Sequence, residues 1–352
     1  MAESTAKGRP PHHLRVVLKK LTLDLLRKTP RAFFIYLALF SSAGYFGTWN
    51  QYLELASHFR LQYFVVSCSF AALFAALRSW RWTAASLLCV LLNGAAVVPW
   101  YFSGASVQAG AESRHLRLLL ANIHFANTNY AGVIALAKAE KPDVLIIQEL
   151  TPLWAEQLES VRDLFPHAQI NANQDPPGIA LYSRWPLEDV RILALGSVNG
   201  PSIFAKVKVG EVSVSLLTTH PPPPMPGYAA HRNEQLRLAA AFARDMPRPA
   251  LLIGDLNLTM WSPYYAQLVR ESGLVDARKG FGVLPTWPAP LKSSLMMIPL
   301  DHCLISQGLQ VAEIKKGPDI ESDHLPLIVD LLVPKAVSPA TARSMPTPLL
   351  LR

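Results

Sequence analysis

Two polar side chains, Asp255 and Asn257, follow the apolar run 251–253 and Gly254. Side chains two apart in an extended chain point the same way, so both should project from the carboxyl end of a buried strand, where ligands of α/β sheets tend to lie. A carboxylate beside a carboxamide can orient a water molecule and hydrogen-bond an oxygen of a phosphoryl group. Because the same pattern also suits an Asx turn, a reactive site requires other polar residues to converge there.

Several further polar residues stand directly after apolar runs. Asn122 follows the run 118–121, Glu149 follows the run 144–148, and His220 follows 216–219. Two more polar pieces, Asp301-His302 and Ser322-Asp323-His324, lie near the end of the domain. The candidate site residues are therefore Asn122, Glu149, His220, Asp255, Asn257, Asp301, Asp323 and His324.

The elements that must position these residues alternate between strands and helices from residue 115 onward. Apolar runs bounded by turn residues predict strands at 116–121, 144–148, 178–183, 203–209, 212–219, 251–254, 303–306 and 325–332. Helical spacing predicts helices at 130–140, 152–164, 229–244 and 263–272. Gly210-Glu211 is typical of a two-residue hairpin turn. Hairpins mixed with crossover helices predict an α/β fold of two packed sheets with helices outside.

This ordered set resembles the endonuclease/exonuclease/phosphatase superfamily, which includes deoxyribonuclease I, abasic-site endonucleases, neutral sphingomyelinases and inositol-polyphosphate phosphatases. The resemblance covers about residues 115–334, and its most specific pieces are Gln148-Glu149, Gly254-Asp255-Leu256-Asn257 and Ser322-Asp323-His324. The segment 178–186 also matches the strand and turn of that family. The resemblance implies a deoxyribonuclease I-like α/β/β/α sandwich and metal-dependent hydrolysis of phosphoesters.

Site roles follow from the resemblance together with the chemistry of the side chains. Asn122 and Glu149, with Asp323, are expected to bind Mg²⁺, or Mn²⁺ in its place, because these ions prefer hard oxygen ligands. His324 is expected to act as the general base, with an acidic partner that fixes its tautomer. The family match indicates Asp301 as that partner, while the one-residue spacing leaves Asp323 open.

The remaining candidates are expected to contact the substrate or the attacking water. His220 is expected to donate to a phosphoryl oxygen or to the leaving group, Asp255 to orient water, and Asn257 to hold a nonbridging oxygen. Arg232 and Asn233, before an amphipathic helix, are interpreted as a solvated first turn rather than as substrate contacts.

The formal charge of the 352-residue chain is concentrated at its N-terminus. Residues 1–110 contain 11 Lys and Arg against three Asp and Glu, whereas residues 111–352 contain 22 of each, so the first part accounts for the whole excess of +8. A neutral domain argues against nucleic acid as a ligand, since phosphate backbones are bound largely through Lys and Arg. The three cysteines show neither a disulfide framework nor the spacing of a zinc site.

Three charge-free apolar segments, 32–49, 61–77 and 82–102, predict three transmembrane helices, because a spanning helix needs roughly 17–25 apolar residues. Aromatic residues cluster near their ends, as they do at membrane interfaces. Before them, residues 12–28 have the pattern of a basic amphipathic helix, which either lies on an anionic membrane surface or is an ordinary surface helix.

Basic residues predict the orientation of these spans. Eight precede the first span, and Arg78 and Arg81 lie between the second and third. The positive-inside rule then predicts a cytoplasmic N-terminus and an extracytoplasmic position for everything after residue 102. The expected organisation is a basic cytoplasmic N-terminus (1–31), the spans (32–102), a polar linker (103–114), the catalytic domain (115–334) and a flexible tail (335–352).

This organisation resembles bacterial membrane proteins of the vancomycin/teicoplanin-resistance J-type, and it implies a multi-pass protein of the cytoplasmic membrane. Our leading hypothesis is an outward-facing phosphoesterase acting on a lipid-linked phosphate or pyrophosphate. The alternatives are a membrane-tethered nonspecific nuclease and a non-catalytic module that binds phosphorylated ligands. The complete polar set favours catalysis, because a binding module need not keep both a water-activating histidine and a metal carboxylate.

Overall fold

The structure is a computed structural model that describes residues 12–102, 113–175, 177–197 and 200–335, with side chains from residue 28 onward. The expectations for residues 1–11, for 103–112 of the linker and for the tail after Lys335 lie outside this range. Ser113 and Arg114, expected in the linker, already pair with Pro334 and Val333 in the first strand of the domain.

Two six-stranded sheets form the body of the domain and confirm the expected α/β sandwich. In chain order the strands are β1 (Ser113–Asn122), β2 (Val144–Leu150), β3 (His167–Gln174), β4 (Pro177–Ser183), β5 (Leu187–Ala194), β6 (Pro201–Val209), β7 (Val212–Thr218), β8 (Ala250–Asp255), β9 (Val275–Asp276), β10 (Asp301–Ile305), β11 (Gln310–Lys316) and β12 (Leu327–Pro334). The first sheet has the order β11-β12-β1-β2-β4-β3, and the second β5-β6-β7-β8-β10-β9.

Helices cover the outer faces of both sheets. The helices are α1 (His12–Ala43), α2 (Gln51–Ser57), α3 (Arg60–Ala76), α4 (Trp80–Val97), α5 (Tyr130–Glu140), α6 (Pro152–Gln157), α7 (Ala229–Asp245) and α8 (Pro263–Ser272). Apolar side chains of β1 and β7 meet in one core between the sheets. Separate cores join α5 and α6 to the first sheet and α7 and α8 to the second. These four layers give the α/β/β/α architecture that the resemblance implies.

The eight strands predicted from the sequence are the inner strands of the two sheets, and the four that were missed are their edges. The missed strands are β3, β5, β9 and β11. Their side chains are mostly half-buried or exposed, so they lack the apolar runs that mark β1 or β8. The predicted helix 152–164 was too long, because α6 ends at Gln157 and continues only as the 3₁₀ turn Leu158–Val161.

One parallel strand pair lies at the middle of each sheet, and these pairs position the candidate residues. In the first sheet β1 runs parallel to β2, and in the second β7 runs parallel to β8. Antiparallel β10 then places Asp301 directly opposite Asp255 of β8. The carboxyl ends of four inner strands and the start of β10 therefore converge at one end of the sandwich.

The N-terminal helices only partly match the three predicted spans. Among the described helices one, Trp80–Tyr101, is long and apolar enough to cross a bilayer, and only 22% of its window is buried, unlike a core helix. Residues Lys28–Phe46 and Gln51–Ser57 would make a second span only if taken together across a bend of 113°. Arg60–Ala76 is apolar but shorter. Three separate spans therefore stay a prediction.

These helices pack directly on the catalytic domain. Val97 of α4 belongs to the same core as α7 and α8. Trp261 donates its indole N–H to the carbonyl of Ala96, and the carbonyl of Trp100 accepts from the backbone of Gly280. The helical region and the domain therefore share buried contacts.

Candidate active site

Asn122 joins the two sheets at the centre of the site. Its Nδ2 donates to Oε1 of Glu149 and to Oδ2 of Asp255, at 3.1 Å in each case. Glu149 lies at a bulge of β2 with a φ of 63°, and its Oε2 accepts from the backbone N–H of Phe125. The bulge turns this carboxylate out of the strand, where its side chain keeps 18% exposure.

Gln148 is a positioning residue at the same junction, although the sequence marked it only as part of a motif. Its buried side chain accepts from the N–H of Asp255 at 2.8 Å and donates to the carbonyl of Thr219 at 3.0 Å. Gly254 makes this approach possible, since a Cβ there would lie 2.1 Å from the Thr219 oxygen and 2.8 Å from Nε2 of Gln148. One amide therefore ties β2 to the ends of β7 and β8.

His324 lies between two aspartates. Its Nδ1 is 2.8 Å from Oδ2 of Asp301, and its Nε2 is 3.4 Å from Oδ2 of Asp255. Burial opposes the charged imidazolium, but the two carboxylates outweigh it and raise the pKa of His324 to about 10. Burial likewise opposes ionisation of Asp301, but His324 lowers its pKa, whereas burial raises the pKa of Asp255. At neutral pH this imidazole is therefore mostly protonated, and the contact with Asp301 holds the ring in one orientation.

His220 is the second histidine beside Asp255, with its Nδ1 3.6 Å from the same Oδ2. Its Nε2 is 3.5 Å from Oε1 of Glu149, and its Nδ1 is 3.1 Å from the carbonyl of Asp255. Burial opposes the charged form, but the contacts with Glu149 and Asp255 raise the pKa of His220 to about 9. Burial also opposes ionisation of Glu149, but His220 and Asn122 lower that pKa to about 2. The pair is therefore a carboxylate beside a proton donor at neutral pH.

Asn257 is held in a left-handed conformation with a φ of 51°. Its N–H donates to Oδ1 of Asp255 at 2.9 Å, and its Nδ2 donates to the carbonyl of Pro221 at 2.9 Å. The Asx turn, which the sequence analysis gave as the alternative to a reactive site, is thus present, and it brings Asn257 beside the catalytic candidates. An Asx turn and a role in the site are therefore compatible.

Asp323 differs from the sequence expectation. Its carboxylate accepts from the indole N–H of Trp287 at 3.1 Å and lies 3.5 Å from the hydroxyl of Ser322. Ser322 in turn donates to the carbonyl of Asn122. Among its described contacts there is none with Glu149, so the geometry does not join Asp323 to the expected metal ligands. The partner of His324 is Asp301, which resolves the alternative that the sequence left open.

The expected metal site rests on Glu149 and Asn122. No group of three or more His, Cys, Asp or Glu side chains arranged for a metal occurs in the part of the chain that is described. The ionised Glu149 carboxylate nevertheless suits Mg²⁺, which often takes one or two carboxylates and completes its shell with water and substrate oxygens. Asn122 turns its amide nitrogen toward Glu149, so it positions that carboxylate and could ligate through oxygen only after rotating its amide.

A cleft of about 680 Å³ opens beside Glu149 and His220. Its lining is mainly apolar and consists of Phe125, Glu149, Asp175, Pro177, Gly178, Ile179, Gly200, Pro201, His220, Pro222, Pro223, Met225 and Tyr228. No Lys or Arg is among these described residues. Pro222 and Pro223 form part of this wall.

Arg232 contradicts the expectation of a solvated first turn, because its side chain is fully buried inside α7. It forms an ion pair of 3.0 Å with Glu54, which is also fully buried. Sequence reasoning missed this pair because 178 residues separate its members. His302 and Cys303, which follow Asp301 in β10, are fully buried.

The comparisons with known proteins concern the family and the fold of the chain. The sequence profile of the family described as Endonuclease/Exonuclease/phosphatase family matches residues 119–324. No curated protein matches the chain at a significant level.

Solved structures resemble the chain at low sequence identity. A Danio rerio TDP2 complexed with single strand DNA product is similar with a TM-score of 0.53 and 16% identity, over 62% of this chain and 98% of that chain. A truncated Caenorhabditis elegans TDP2 has a TM-score of 0.52 and 18% identity, over the same shares. An endonuclease/exonuclease/phosphatase from Beutenbergia cavernae has a TM-score of 0.50 and 22% identity, over 63% and 72%. At these identities the likeness concerns the fold alone.

Proposed function

We propose, from the premise that this chain belongs to the endonuclease/exonuclease/phosphatase family, that it hydrolyses a lipid-linked phosphate ester or pyrophosphate. Members of the family are metal-dependent hydrolases of phosphoester bonds, and this chain is one of them. The proposal adds a substrate class, a membrane anchor and an extracytoplasmic position of the catalytic domain.

The lining of the cleft supports a lipid phosphate as the substrate. Its wall beside Glu149 and His220 is mainly apolar, and Met225 and Tyr228 at its edge are 59% and 50% exposed. Apolar walls with a few polar groups at one end suit a ligand that has a hydrocarbon body and one polar head. A nucleic acid backbone would instead need Lys or Arg along the wall. The chemistry of the lining therefore favours a lipid phosphate over a polynucleotide.

The proposed proton transfers use the contacts around His324. The small neutral fraction of His324 that its raised pKa leaves at neutral pH accepts a proton at Nε2 from the attacking water. Asp255, whose Oδ2 lies 3.4 Å from that nitrogen, orients the water. Asp301 stabilises the resulting imidazolium at Nδ1 and fixes the orientation of the ring.

The other side of the site serves the phosphoryl oxygens and the leaving group. His220, protonated at neutral pH because its pKa is raised to about 9, donates to a phosphoryl oxygen or to the departing oxygen. Asn257 holds a nonbridging oxygen. Glu149, positioned by Asn122, would hold a divalent cation that offsets the charge developing on the phosphoryl group.

The membrane proposal rests on the N-terminal region. The apolar helix Trp80–Tyr101 is mostly exposed, and the basic excess of the chain precedes the domain. Exposed aromatic and aliphatic side chains of α1 and α4, such as Phe33, Leu39 and Leu91, would face lipid. The distribution of basic residues favours a domain outside the cytoplasmic membrane.

The test uses the full chain purified in detergent or in nanodiscs. We expect phosphate release from a long-chain isoprenoid pyrophosphate with Mg²⁺, no release with EDTA, and no nicking of supercoiled plasmid. Nicking of the plasmid without turnover of the lipid would establish the nuclease alternative. Binding of the lipid without turnover of any phosphoester would favour the non-catalytic module. A compartment-sensitive reporter fused to the C-terminus tests the orientation, and activity only in the cytoplasm would reverse it.

A further inference from the structure

A short helix of the N-terminal region carries a carboxylate into the interior of the catalytic domain. Helix α2 bends by 113° from α1 and lies across the domain. Glu54 of this helix is fully buried, and its Oε2 accepts from Arg232 at 3.0 Å. Its Oε1 accepts from the hydroxyl of Ser262 at 2.6 Å and lies 3.3 Å from Nε2 of His58. The contacts with Arg232 and Ser262 join the helical region to the domain, and the contact with His58 lies within the helical region.

Arg232 connects this carboxylate to the active site. Its Nη1 donates to the backbone carbonyl of Asn257 at 3.3 Å. Asn257 has a φ of 51°, a left-handed conformation that asparagine tolerates better than most other residues. The N–H of this residue donates to Asp255, and its side chain is one of the proposed phosphoryl contacts. The hydrogen bond from Arg232 therefore restrains the backbone of the residue that carries both groups.

A second contact from the same helical region reaches the same loop. Nδ1 of His58 lies 3.0 Å from the hydroxyl of Thr259 and 3.4 Å from its backbone nitrogen. The loop after β8 is thus held at Asn257 and at Thr259, two residues apart. The contact at Asn257 comes from Arg232, which pairs with Glu54, and the contact at Thr259 comes from His58. Helix α2 and its end therefore support the loop that carries the reactive groups, once directly and once through Arg232.

We propose that Glu54 is a positioning residue of the hydrolase, acting through Arg232 on the backbone of Asn257. The N-terminal helical region is then part of the catalytic unit, in addition to any role as an anchor. A buried ion pair is weak support for stability by itself, because the cost of removing two charges from water can exceed their attraction. The pair of Glu54 and Arg232 acts on the geometry of the site because Arg232 contacts the backbone of Asn257. A displacement of about 1 Å in an active site can cost ~10²-fold in rate.

The decisive variant removes both charges at once. Glu54→Gln alone would leave Arg232 buried without its partner and is expected to impair folding. The double replacement E54M/R232M leaves no unpaired charge, so the full chain is expected to fold while the carbonyl of Asn257 loses its donor. We expect kcat to fall by about 30-fold, with KM changing by less than about threefold, because the loss concerns orientation rather than binding.

Two further variants distinguish a positioning role of Glu54 from a general loosening of the contacts between the helices and the domain. Gln62→Ala removes contacts between the same helical region and the carbonyls of Leu295 and Met297, away from the loop, and it should leave kcat within about twofold. Adding E54M/R232M to Asn257→Ala should lower kcat by less than about threefold further, since both changes act on one group. A folded double variant with the kcat of the unmodified chain, or effects that multiply with Asn257→Ala, would overturn the proposal.

Hydrogen exchange supplies a readout that does not need turnover. Amides of residues 255–260 in E54M/R232M should exchange at least about tenfold faster than in the unmodified chain, while those of β1 should not change. This inference rests on hydrolysis at the proposed site but not on the lipid. Kinetics can therefore use whichever phosphoester the unmodified chain turns over. Failure on lipid substrates alone would refute the proposed function, whereas unchanged exchange at 255–260 would refute the role of Glu54.

Discussion

Oδ2 of Asp301 lies 2.8 Å from Nδ1 of His324, across 23 residues of sequence. Asp301 begins β10 and is directly opposite Asp255 of β8, and the loop before β12 brings His324 between them. The nearer acid in sequence, Asp323, points instead to the indole of Trp287. Sheet pairing, and not proximity along the chain, therefore selects the partner of the histidine.

Replacing that partner should impair catalysis strongly. In Asp301→Asn the histidine loses the carboxylate that stabilises its imidazolium, and kcat is expected to fall by at least about 10²-fold. The matched change Asp323→Asn should have a clearly smaller effect. Initial rates of phosphoester hydrolysis with saturating Mg²⁺ measure both. Equal losses in the two variants would return Asp323 to the role of partner.

Removing the carboxylate of Glu149 should weaken both catalysis and the response to metal. Glu149→Gln is expected to lower the rate by at least about 10²-fold and to raise the Mg²⁺ concentration at half-maximal activity, because the neutral amide is a poorer ligand. Glu156→Gln, at an exposed position of α6, serves as the control. A titration of rate against Mg²⁺ gives both quantities. A near-normal rate with unchanged metal dependence would remove Glu149 from the mechanism.

Acid should weaken the junction between the helices and the domain through His58. Burial lowers the pKa of His58 from 6.5 to about 4, although Glu54 opposes the shift. The folded chain thus binds this proton less readily than the unfolded chain. The resulting stability is fully present above about pH 6.5 and is lost as the pH falls toward about 4, by up to roughly 3 kcal/mol. The free energy of unfolding in detergent, measured between these pH values, should fall less steeply in His58→Asn. Identical pH dependence in both proteins would contradict this cause.

Polarity introduced at the cleft edge should affect long-chain substrates selectively. Met225 is 59% exposed beside the cleft, so Met225→Glu should fold normally while losing contact with a hydrocarbon chain. The kcat/KM for a long-chain lipid phosphate should fall about tenfold, which corresponds to about 1.4 kcal/mol of apolar contact. A short-chain soluble ester should be hydrolysed as before. Ile192→Glu, on the edge strand β5, is the control, and equal losses on both substrates would argue against a lipid-binding cleft.

A methyl group at Gly254 should damage both stability and activity. The added Cβ would meet the Thr219 carbonyl and the Gln148 amide, so β7 and β8 would have to separate where they carry the site. We expect Gly254→Ala to lower the free energy of unfolding by about 2–3 kcal/mol, a typical cost of overpacking. Gly200→Ala, where no neighbouring atom lies closer than 3.6 Å, should cost much less. Chemical denaturation of both variants measures the difference.

The sequence predicted the inner strands and missed the edge strands for one physical reason. An inner strand such as β8 is buried on both faces, so nearly every position must be apolar and the run stands out. An edge strand such as β5 has one open side, and its sequence Leu-Glu-Asp-Val-Arg-Ile-Leu-Ala resembles that of a loop. Strands that are buried on both faces can therefore be predicted from their apolar runs, whereas edge strands cannot.

The residues of the candidate site could likewise be predicted only in part. Polar residues that end buried strands, such as Glu149, Asp255 and His220, could be found because their apolar runs mark them. Glu54 and Arg232 could not, since Glu54 lies between two predicted spans and Arg232 looks like an ordinary charged residue of a predicted helix. Their burial results from the way α2 crosses the domain, and no local pattern encodes that crossing.

By itself, the sequence determined the sandwich of two sheets, because a buried strand needs an apolar run. Together with the family resemblance it predicted hydrolysis of phosphoesters, and it named candidate residues at the strand ends that the structure brings together. The tertiary structure alone decided that Asp301 rather than Asp323 holds His324, and that Glu54 stands behind Asn257. Those pairings depend on strand register and helix packing. Their members, Asp301 with His324 and Glu54 with Arg232, are 23 and 178 residues apart in the sequence. At such separations the spacing of residues along the chain does not indicate which side chains will be in contact.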